Sequence, residues 1–130
     1  MILTDFYKII QTIENDSGTM FYIALNPNHS IYSSHFPGQP VLPGVCTLQI
    51  IKECAEQFTD KKLQYKKILQ CKFLRFIDPT QNNKLTLKIS LKDMENDEIQ
   101  LTANGITDEF DFIKTKAIMG NKEQLPMNNE

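Results

Sequence analysis

The chain has 130 residues, of which 41% are hydrophobic and 23% are charged, and its formal net charge is −2. This length suits one globular domain and is too short for two. The acidic balance argues against a nucleic-acid-binding protein, and no apolar run approaches the roughly 20 residues that cross a bilayer. Three scattered cysteines (Cys46, Cys54 and Cys71) and no recognisable leader predict a cytoplasmic protein with reduced thiols and no bound metal.

The hydrophobic pattern predicts two strands, then one helix, then four more strands. The helix starts after a proline-rich loop, and its apolar residues from Val45 to Phe58 recur at a spacing that covers one broad face. A helix of this kind is typical of the centre of a domain, wrapped by a sheet. We therefore predict an α+β domain over 1–120, followed by a polar tail over 121–130. Strands are predicted at 6–13, 19–25, 64–77, 85–91, 99–106 and 110–119.

Positive charge is concentrated in one segment. Six basic residues and no acidic ones lie between Lys61 and Arg75, whereas residues 93–111 contain seven acidic residues and no basic ones. A local basic strip can steer an acidic partner even on an acidic protein. A solvated strand face without a partner explains the same pattern, and the sequence leaves both interpretations open.

The proline-rich loop contains the most specific motif in the chain. Residues 35–45 read HFPGQPVLPGV. This segment resembles the signature of the bacterial 3-hydroxyacyl-acyl carrier protein dehydratases of the FabZ and FabA type, which is HFPG-x-P, two apolar residues and PGV. The stretch from Lys72 to Arg75 also resembles the KF-x-R strand of that family. The resemblance covers roughly residues 6–119.

The resemblance implies a hotdog fold, in which an antiparallel sheet wraps around one central helix. It also implies an acyl thioester substrate on an acyl carrier protein, no cofactor, and sites that lie between subunits. We expect a homodimer or larger homo-oligomer, because the strand edges of a small sheet need covering, and a heterodimer with another hotdog subunit is an alternative. Carrier docking is assigned to four basic residues: Lys62, Lys66, Lys72 and Arg75.

The family's catalytic histidine corresponds to His35. Imidazole titrates near neutrality and can take the proton alpha to a thioester carbonyl. Unpaired backbone N–H groups at Gly44 and Val45, where the helix begins, can stabilise the enolate oxygen that develops. Phe36 is assigned to substrate binding with them. His29, the other histidine, matches no functional position of the family.

The chain departs from the family pattern at Gln49, where the family has a Glu or Asp. A carboxylic acid can protonate the departing β-hydroxyl, whereas an amide has no titrating proton to give. Three hypotheses follow. His35 shuttles the proton both ways while Gln49 only orients the hydroxyl; or Glu53, one turn further along the helix, is a displaced acid; or the chain has lost dehydration and kept acyl binding.

The sequence therefore favours dehydration of a 3-hydroxyacyl thioester to the trans-2-enoyl thioester, in fatty-acid or polyene-type biosynthesis. A non-catalytic acyl-binding subunit is the alternative. A hotdog thioesterase is a weaker third hypothesis, because hydrolysis usually needs a carboxylate to direct water.

Overall fold

The computed structural model describes residues 3–34 and 38–122. Three parts of the chain therefore lie outside the described residues: the first two residues, the His35–Phe36–Pro37 segment of the motif, and the predicted tail from residue 123 onward. The elements in chain order are β1 (Tyr7–Asn15), β2 (Gly18–Leu25), α1 (Ile31–Ser34), α2 (Gly44–Thr59), β3 (Leu63–Phe73), β4 (Lys84–Asp93), a short 3₁₀ turn (Glu95–Asp97), β5 (Glu98–Ile106) and β6 (Asp111–Asn121).

The six strands form one sheet in the order β1-β2-β4-β5-β6-β3, with every neighbouring pair antiparallel. On β4 the leucines and isoleucine at 85, 87 and 89 are buried and the residues between them are more exposed, as period-2 alternation predicts. The buried face packs on α2. The predicted α+β fold, an antiparallel sheet around one central helix, is confirmed. The helix contributes Cys46, Thr47, Ile50, Ile51, Cys54 and Ala55 to the core.

Helix α2 is one residue longer at each end than predicted. Its first turn begins at Gly44, and it ends where Asp60 adopts a left-handed conformation with φ 56°. This C-cap donates its backbone N–H to the carbonyl of Glu56, which closes the last turn. Phe58 was predicted on the buried face, but it lies in that last turn and is 45% exposed.

The predicted strand over 64–77 leaves the sheet four residues early, at Phe73. Beyond it, the Leu74 N–H still donates to the carbonyl of Phe112, but the carbonyl of Ile77 accepts from the N–H of Leu42 instead of from a strand. The segment 74–77 therefore crosses to the proline-rich loop and holds it beside the start of α2. None of the helices in the described ranges has the length and apolar character needed to span a membrane.

Candidate functional site

The described residues on either side of the motif's first three positions show where the proline-rich loop begins and ends. The two residues predicted to act there, His35 and Phe36, lie outside the described residues. Helix α1 ends at Ser34, directly before them, and the chain is described again from Gly38, whose φ of 88° favours glycine. The loop then runs to Leu42, which is buried and hydrogen-bonded to the segment after β3.

At the start of helix α2, two backbone donors have no acceptor among the described residues. The carbonyl of Pro43, the N-cap residue, accepts from the N–H groups of Cys46 and Thr47 at 3.0 and 3.2 Å. In the described part of the chain, the N–H groups of Gly44 and Val45 have no such partner. Unpaired N–H groups at a helix start carry the positive end of the helix dipole and attract a developing negative charge. The predicted role of Gly44 and Val45 in substrate binding stays a prediction.

An apolar cleft of about 430 Å³ opens beside this helix start. Val45 and Leu48 line it from α2, and Phe73 and Phe76 line it from the end of β3 and the segment that follows. Its walls are mostly hydrophobic, so it suits an acyl chain better than a polar ligand. Arg75 also lines the cleft, and its guanidinium lies 4.3 Å from the centre of the Phe110 ring, a cation–π contact.

Gln49 is hydrogen-bonded to the carboxylate of Glu53. The amide Nε2 of Gln49 donates to Glu53 Oε2 at 2.8 Å, and the hydroxyl of Tyr7, the first residue of β1, donates to Glu53 Oε1 at 2.5 Å. Burial and this hydrogen bond raise the pKa of Tyr7. The phenol therefore keeps its proton and remains a donor. Tyr7 was not identified from the sequence, since 46 residues separate it from Glu53 and no motif contains it.

The four predicted docking residues are spread over several environments. Lys66 forms an ion pair with Glu98 at 3.2 Å, and Arg75 stacks on Phe110. Lys62 and Lys72 are exposed and form no ion pair within the described ranges. The positive charge of the basic strip between Lys61 and Arg75 is therefore partly neutralised by ion pairing.

A row of lysines crosses the outer face of the sheet, and the sequence did not reveal it. Register places Lys88 opposite Asn104, Asn104 opposite Lys114, and Lys114 opposite Lys72, on four adjacent strands. Their neighbours in sequence, such as Leu87 and Ile113, are buried in the core, so the row faces outward. The only signal in the sequence is alternation, which gives the face of each lysine but not its neighbour on another strand.

Strand β3 also exposes a hydrophobic surface. Within ranges 3–34 and 38–122 it pairs with β6 alone, so it lies at the edge of the sheet. Several large apolar residues on and after this strand, and at the start of α2, are 44–81% exposed. Exposed apolar groups beside an unpaired strand edge are typical of a protein–protein interface. The members of this surface are Val45, Ile68, Leu69, Phe73, Leu74 and Phe76.

Two other chemically reactive residues serve the fold. His29 is held on both ring nitrogens: Nδ1 accepts from the N–H of Ile31 at 3.1 Å, so Nε2 carries the proton that is shared with the carbonyl of Thr4 at 2.8 Å. Burial raises the pKa of the Cys46 thiol, which makes it a poor nucleophile although it lies at a helix start. Among the described residues, no group of three or more His, Cys, Asp or Glu side chains is arranged to hold a metal.

Comparison with known proteins gives both a family and a fold. The sequence model of the ApeI-like family, described as ApeI dehydratase, matches residues 11–109. No protein with curated annotation matches significantly. A solved structure of the dehydratase heterocomplex ApeI:P from Xenorhabdus doucetiae superposes with a TM-score of 0.73 at 24% identity, covering 88% of this chain and 97% of that one.

More distant structures share the fold alone. The proposed thioesterase yhdA from Lactococcus lactis gives a TM-score of 0.66 at 10% identity over 98% of both chains. BH2602 from Bacillus halodurans, solved with CoA, gives 0.59 at 10% identity over 92% of this chain and 76% of that one. The predicted hotdog fold is confirmed by these matches. The dehydratase assignment is confirmed at the level of the ApeI-like family and not for the FabZ and FabA branch.

Proposed function

Because the chain belongs to the ApeI-like dehydratase family, we propose that it removes water from a 3-hydroxyacyl thioester to give the trans-2-enoyl thioester. The proposed substrate is held on an acyl carrier protein, in fatty-acid or polyene-type biosynthesis. The observation that carries this proposal is the apolar cleft that opens at the start of α2, beside the unpaired N–H groups of Gly44 and Val45. An acyl chain in the cleft would bring its thioester carbonyl to these donors.

The dehydration needs a base that removes the proton alpha to the carbonyl and an acid that protonates the leaving hydroxyl. In the proposed reaction the imidazole of His35 takes the proton alpha to the carbonyl, and the electron pair moves toward the carbonyl oxygen. The N–H groups at Gly44 and Val45 stabilise that oxygen. The electron pair then returns to form the double bond as the bond from the β-carbon to its hydroxyl breaks. The imidazolium of His35 gives its proton to the leaving hydroxyl, so water departs and the histidine is neutral again.

Gln49 takes no part in the proton balance in this proposal. Its amide has no titrating proton, and its nitrogen is already engaged by Glu53. Glu53 accepts hydrogen bonds on both carboxylate oxygens, from Tyr7 and from Gln49. This favours the first of the three sequence hypotheses, in which His35 shuttles the proton, over the hypothesis that Glu53 is a displaced acid.

A hydratase assay tests the proposal in the reverse direction. The purified chain would be mixed with a trans-2-enoyl thioester on an acyl carrier protein, and loss of the conjugated enoyl absorbance would be followed. Activity that His35→Ala abolishes supports dehydratase chemistry, provided the variant retains the unfolding temperature of the wild type. Inactivity of the chain, both alone and with candidate partner subunits, would refute it and leave the acyl-binding alternative.

The alternative is a non-catalytic acyl-binding subunit, and the observation that favours it is Gln49 at the position where the FabZ and FabA pattern has a carboxylate. Such a subunit would work beside a competent hotdog partner. The solved ApeI:P structure is itself a heterocomplex, which makes a second hotdog subunit a natural partner to propose. A thioesterase is less well supported, because the yhdA likeness is a likeness of fold.

We place the proposed subunit interface at the exposed apolar surface around β3. No other described strand pairs with its outer edge, and Leu69 on the strand and Phe76 just after it are 45% and 81% exposed. Pairing with a second subunit would satisfy the edge and bury these side chains. A homodimer or larger homo-oligomer is the first expectation, and a heterodimer is the second.

Carrier docking is proposed for Lys62, Lys66, Lys72 and Arg75 together with the adjoining lysine row. The resemblance to the FabZ and FabA dehydratases implies that the substrate is carried by an acidic acyl carrier protein. A positively charged surface steers such a partner toward the site. Lys72 belongs to both groups, since it is one of the predicted residues and stands opposite Lys114. Phe73, the next residue along β3, lines the apolar cleft. A carrier on this surface would therefore lie close to the proposed acyl site.

A further inference from the structure

The side chain of Gln49 is oriented by a fixed acceptor. Glu53 is one helical turn further along α2, and its carboxylate receives the Gln49 amide at 2.8 Å and the Tyr7 hydroxyl at 2.5 Å. All three side chains are partly buried, so water competes less strongly for these bonds than on an open surface. Leu48 and Val45, which line the apolar cleft, adjoin Gln49 on the same helix.

The chemistry of the two groups decides which end of the amide faces outward. An ionised carboxylate only accepts hydrogen bonds, and an amide has a donor end and an acceptor end. If the amide were turned over, its oxygen would lie against the carboxylate oxygen and both would be left without a donor. The nitrogen of Gln49 must therefore face Glu53, and the carbonyl oxygen, Oε1, must face away. A free carbonyl oxygen accepts a hydrogen bond and cannot give one.

We propose that Glu53 and Tyr7 are positioning residues that hold the Gln49 carbonyl oxygen toward the substrate, so that the site selects acyl groups with a 3-hydroxyl. This inference rests on the proposed function, because it assumes that an acyl thioester lies in the apolar cleft and passes Val45, one helical turn before Gln49. The hydroxyl of the substrate donates to Oε1 of Gln49. A saturated acyl group of the same length has nothing to donate and leaves that oxygen unpaired.

Tyr7 keeps Glu53 in place. A glutamate side chain has several rotatable bonds, and an anchor on one oxygen removes most of its freedom to turn toward solvent. Tyr7 supplies this anchor from a strand, with a rigid ring. Because burial and the Glu53 bond raise the Tyr7 pKa, the anchor persists over the whole neutral and mildly alkaline range. Removing the Tyr7 hydroxyl should loosen Glu53 and, through it, Gln49.

The test compares two unreactive probes that differ by one hydroxyl. Both are pantetheine analogues in which an amide replaces the thioester, one carrying a 3-hydroxyacyl chain and the other the saturated chain of equal length. Titration calorimetry with the full chain gives the ratio of their affinities. The wild type should bind the hydroxylated probe more tightly. Glu53→Gln should lower that preference about twofold, because a glutamine at 53 offers a donor and an acceptor and satisfies Gln49 in either orientation, so that only about half of the molecules present Oε1.

Two further variants separate positioning from general damage. Tyr7→Phe should reduce the preference in the same direction as Glu53→Gln. Tyr22→Phe is the matched control, since Tyr22 is also a partly buried strand tyrosine and its hydroxyl has no hydrogen-bond partner within the described ranges. It should leave the preference unchanged. In the two test variants the affinity for the saturated probe should stay at the wild-type value.

The proposal is overturned if the wild type shows no preference, if both probes weaken equally in Glu53→Gln and Tyr7→Phe, or if neither variant alters the ratio. These outcomes are independent of turnover. If the chain shows the predicted preference but is inactive in the hydratase assay, the positioning proposal is supported and the proposed dehydratase function is refuted. A chain that binds neither probe overturns both.

Discussion

The ring of Phe73 lies against the backbone of Gly44, so closely that a β-carbon on this glycine would stand 2.8 Å from Cζ of the ring. The last residue of β3 thereby supports the first turn of α2. That turn carries the N–H groups proposed to stabilise the enolate oxygen. Gly44 is thus required by a close approach of two elements, and its backbone conformation is one that any residue can adopt.

Gly44→Ala should disturb this contact. Phe73 is about half exposed and can move, so we expect a loss of roughly 1 kcal/mol in the free energy of unfolding, the low end for an overpacked site. Because the helix start shifts, turnover should fall further, up to about 100-fold. Urea unfolding and the hydratase assay measure the two effects. The double variant Gly44→Ala with Phe73→Leu should recover stability, and full activity in Gly44→Ala alone would contradict the role given to this turn.

Gln49→Glu should accelerate the reaction. The new carboxyl group would lie within hydrogen-bonding distance of the Glu53 carboxylate. Because two negative charges at that distance repel, the two carboxyl groups should share one proton, and the pKa for losing that proton should be raised. A protonated acid near the β-hydroxyl can add about 100- to 10,000-fold, and the wild type should be correspondingly slow. Steady-state hydration of a carrier-linked enoyl thioester at neutral pH measures the gain.

Combining this change with Glu53→Gln provides its control. Without the second carboxylate the pKa of the introduced glutamate falls, so the gain at neutral pH should shrink. His35→Ala should abolish activity in every background. If Gln49→Glu leaves the rate flat while Glu53→Gln alone eliminates it, then Glu53 is the acid.

Reversing charge in the lysine row should weaken carrier binding. Lys72→Glu combined with Lys114→Glu changes two residues that face each other across β3 and β6. We expect the dissociation constant for an acidic carrier protein to rise by roughly tenfold, or about 1.4 kcal/mol, and its salt dependence to flatten. Calorimetry at low and high salt measures both. Lys8→Glu with Lys84→Glu is the matched control of equal charge, because these residues flank Ala24 elsewhere on the sheet. An equal loss of carrier affinity in the control would show that only the net charge of the protein matters and would contradict docking at the lysine row.

Leu69→Lys should separate subunits. Leu69 is 45% exposed on the free edge strand, and a lysine there would have to be desolvated on pairing. Sedimentation velocity at micromolar concentration should show an assembly for the wild type and a monomer for the variant. Ile10→Lys, on the opposite edge strand β1 and 52% exposed, should remain assembled. Dissociation by Ile10→Lys instead would move the interface to β1, and a monomeric wild type would exclude self-association.

Stability should decline in alkali. Burial is the main cause that raises the pKa values of Tyr7, Tyr32 and Tyr65 above the ordinary value of 10.0. The unfolded chain therefore releases these protons first as the pH rises past about 10, while the folded chain retains them. The free energy of unfolding should begin to fall near pH 9, where the thiols of Cys46 and Cys54 ionise in the unfolded chain, because burial raises their pKa in the folded one. It should fall more steeply above about pH 10. Urea titrations across this range test the sign, Tyr7→Phe should make the decline shallower, and a rise would contradict it.

Much of the fold could be predicted because its signals are local. Alternation along β4 and helical spacing after Gly44 reflect which side chains face the core, and both follow from the geometry of a single element. The end of β3 was predicted four residues late, since apolar residues continue to Ile77 and the hydrogen bond from Leu42 that draws this segment away is not local. The motif at 35–45 indicated the family's chemistry, although His35 and Phe36 lie outside the described residues.

The sequence by itself determined one helix on an antiparallel sheet, a loop that resembles the FabZ and FabA motif, and an amide at Gln49 where that motif pattern has an acid. Only the tertiary structure decided what holds that amide, because Glu53 accepts from Gln49 and from Tyr7, which reaches it from a strand 46 residues away in sequence. It likewise decided which lysines are neighbours, since Lys88, Lys114 and Lys72 are brought into one row by strand register. Periodicity states which way a side chain points, whereas its partner across the sheet is fixed by packing and hydrogen bonding between distant segments.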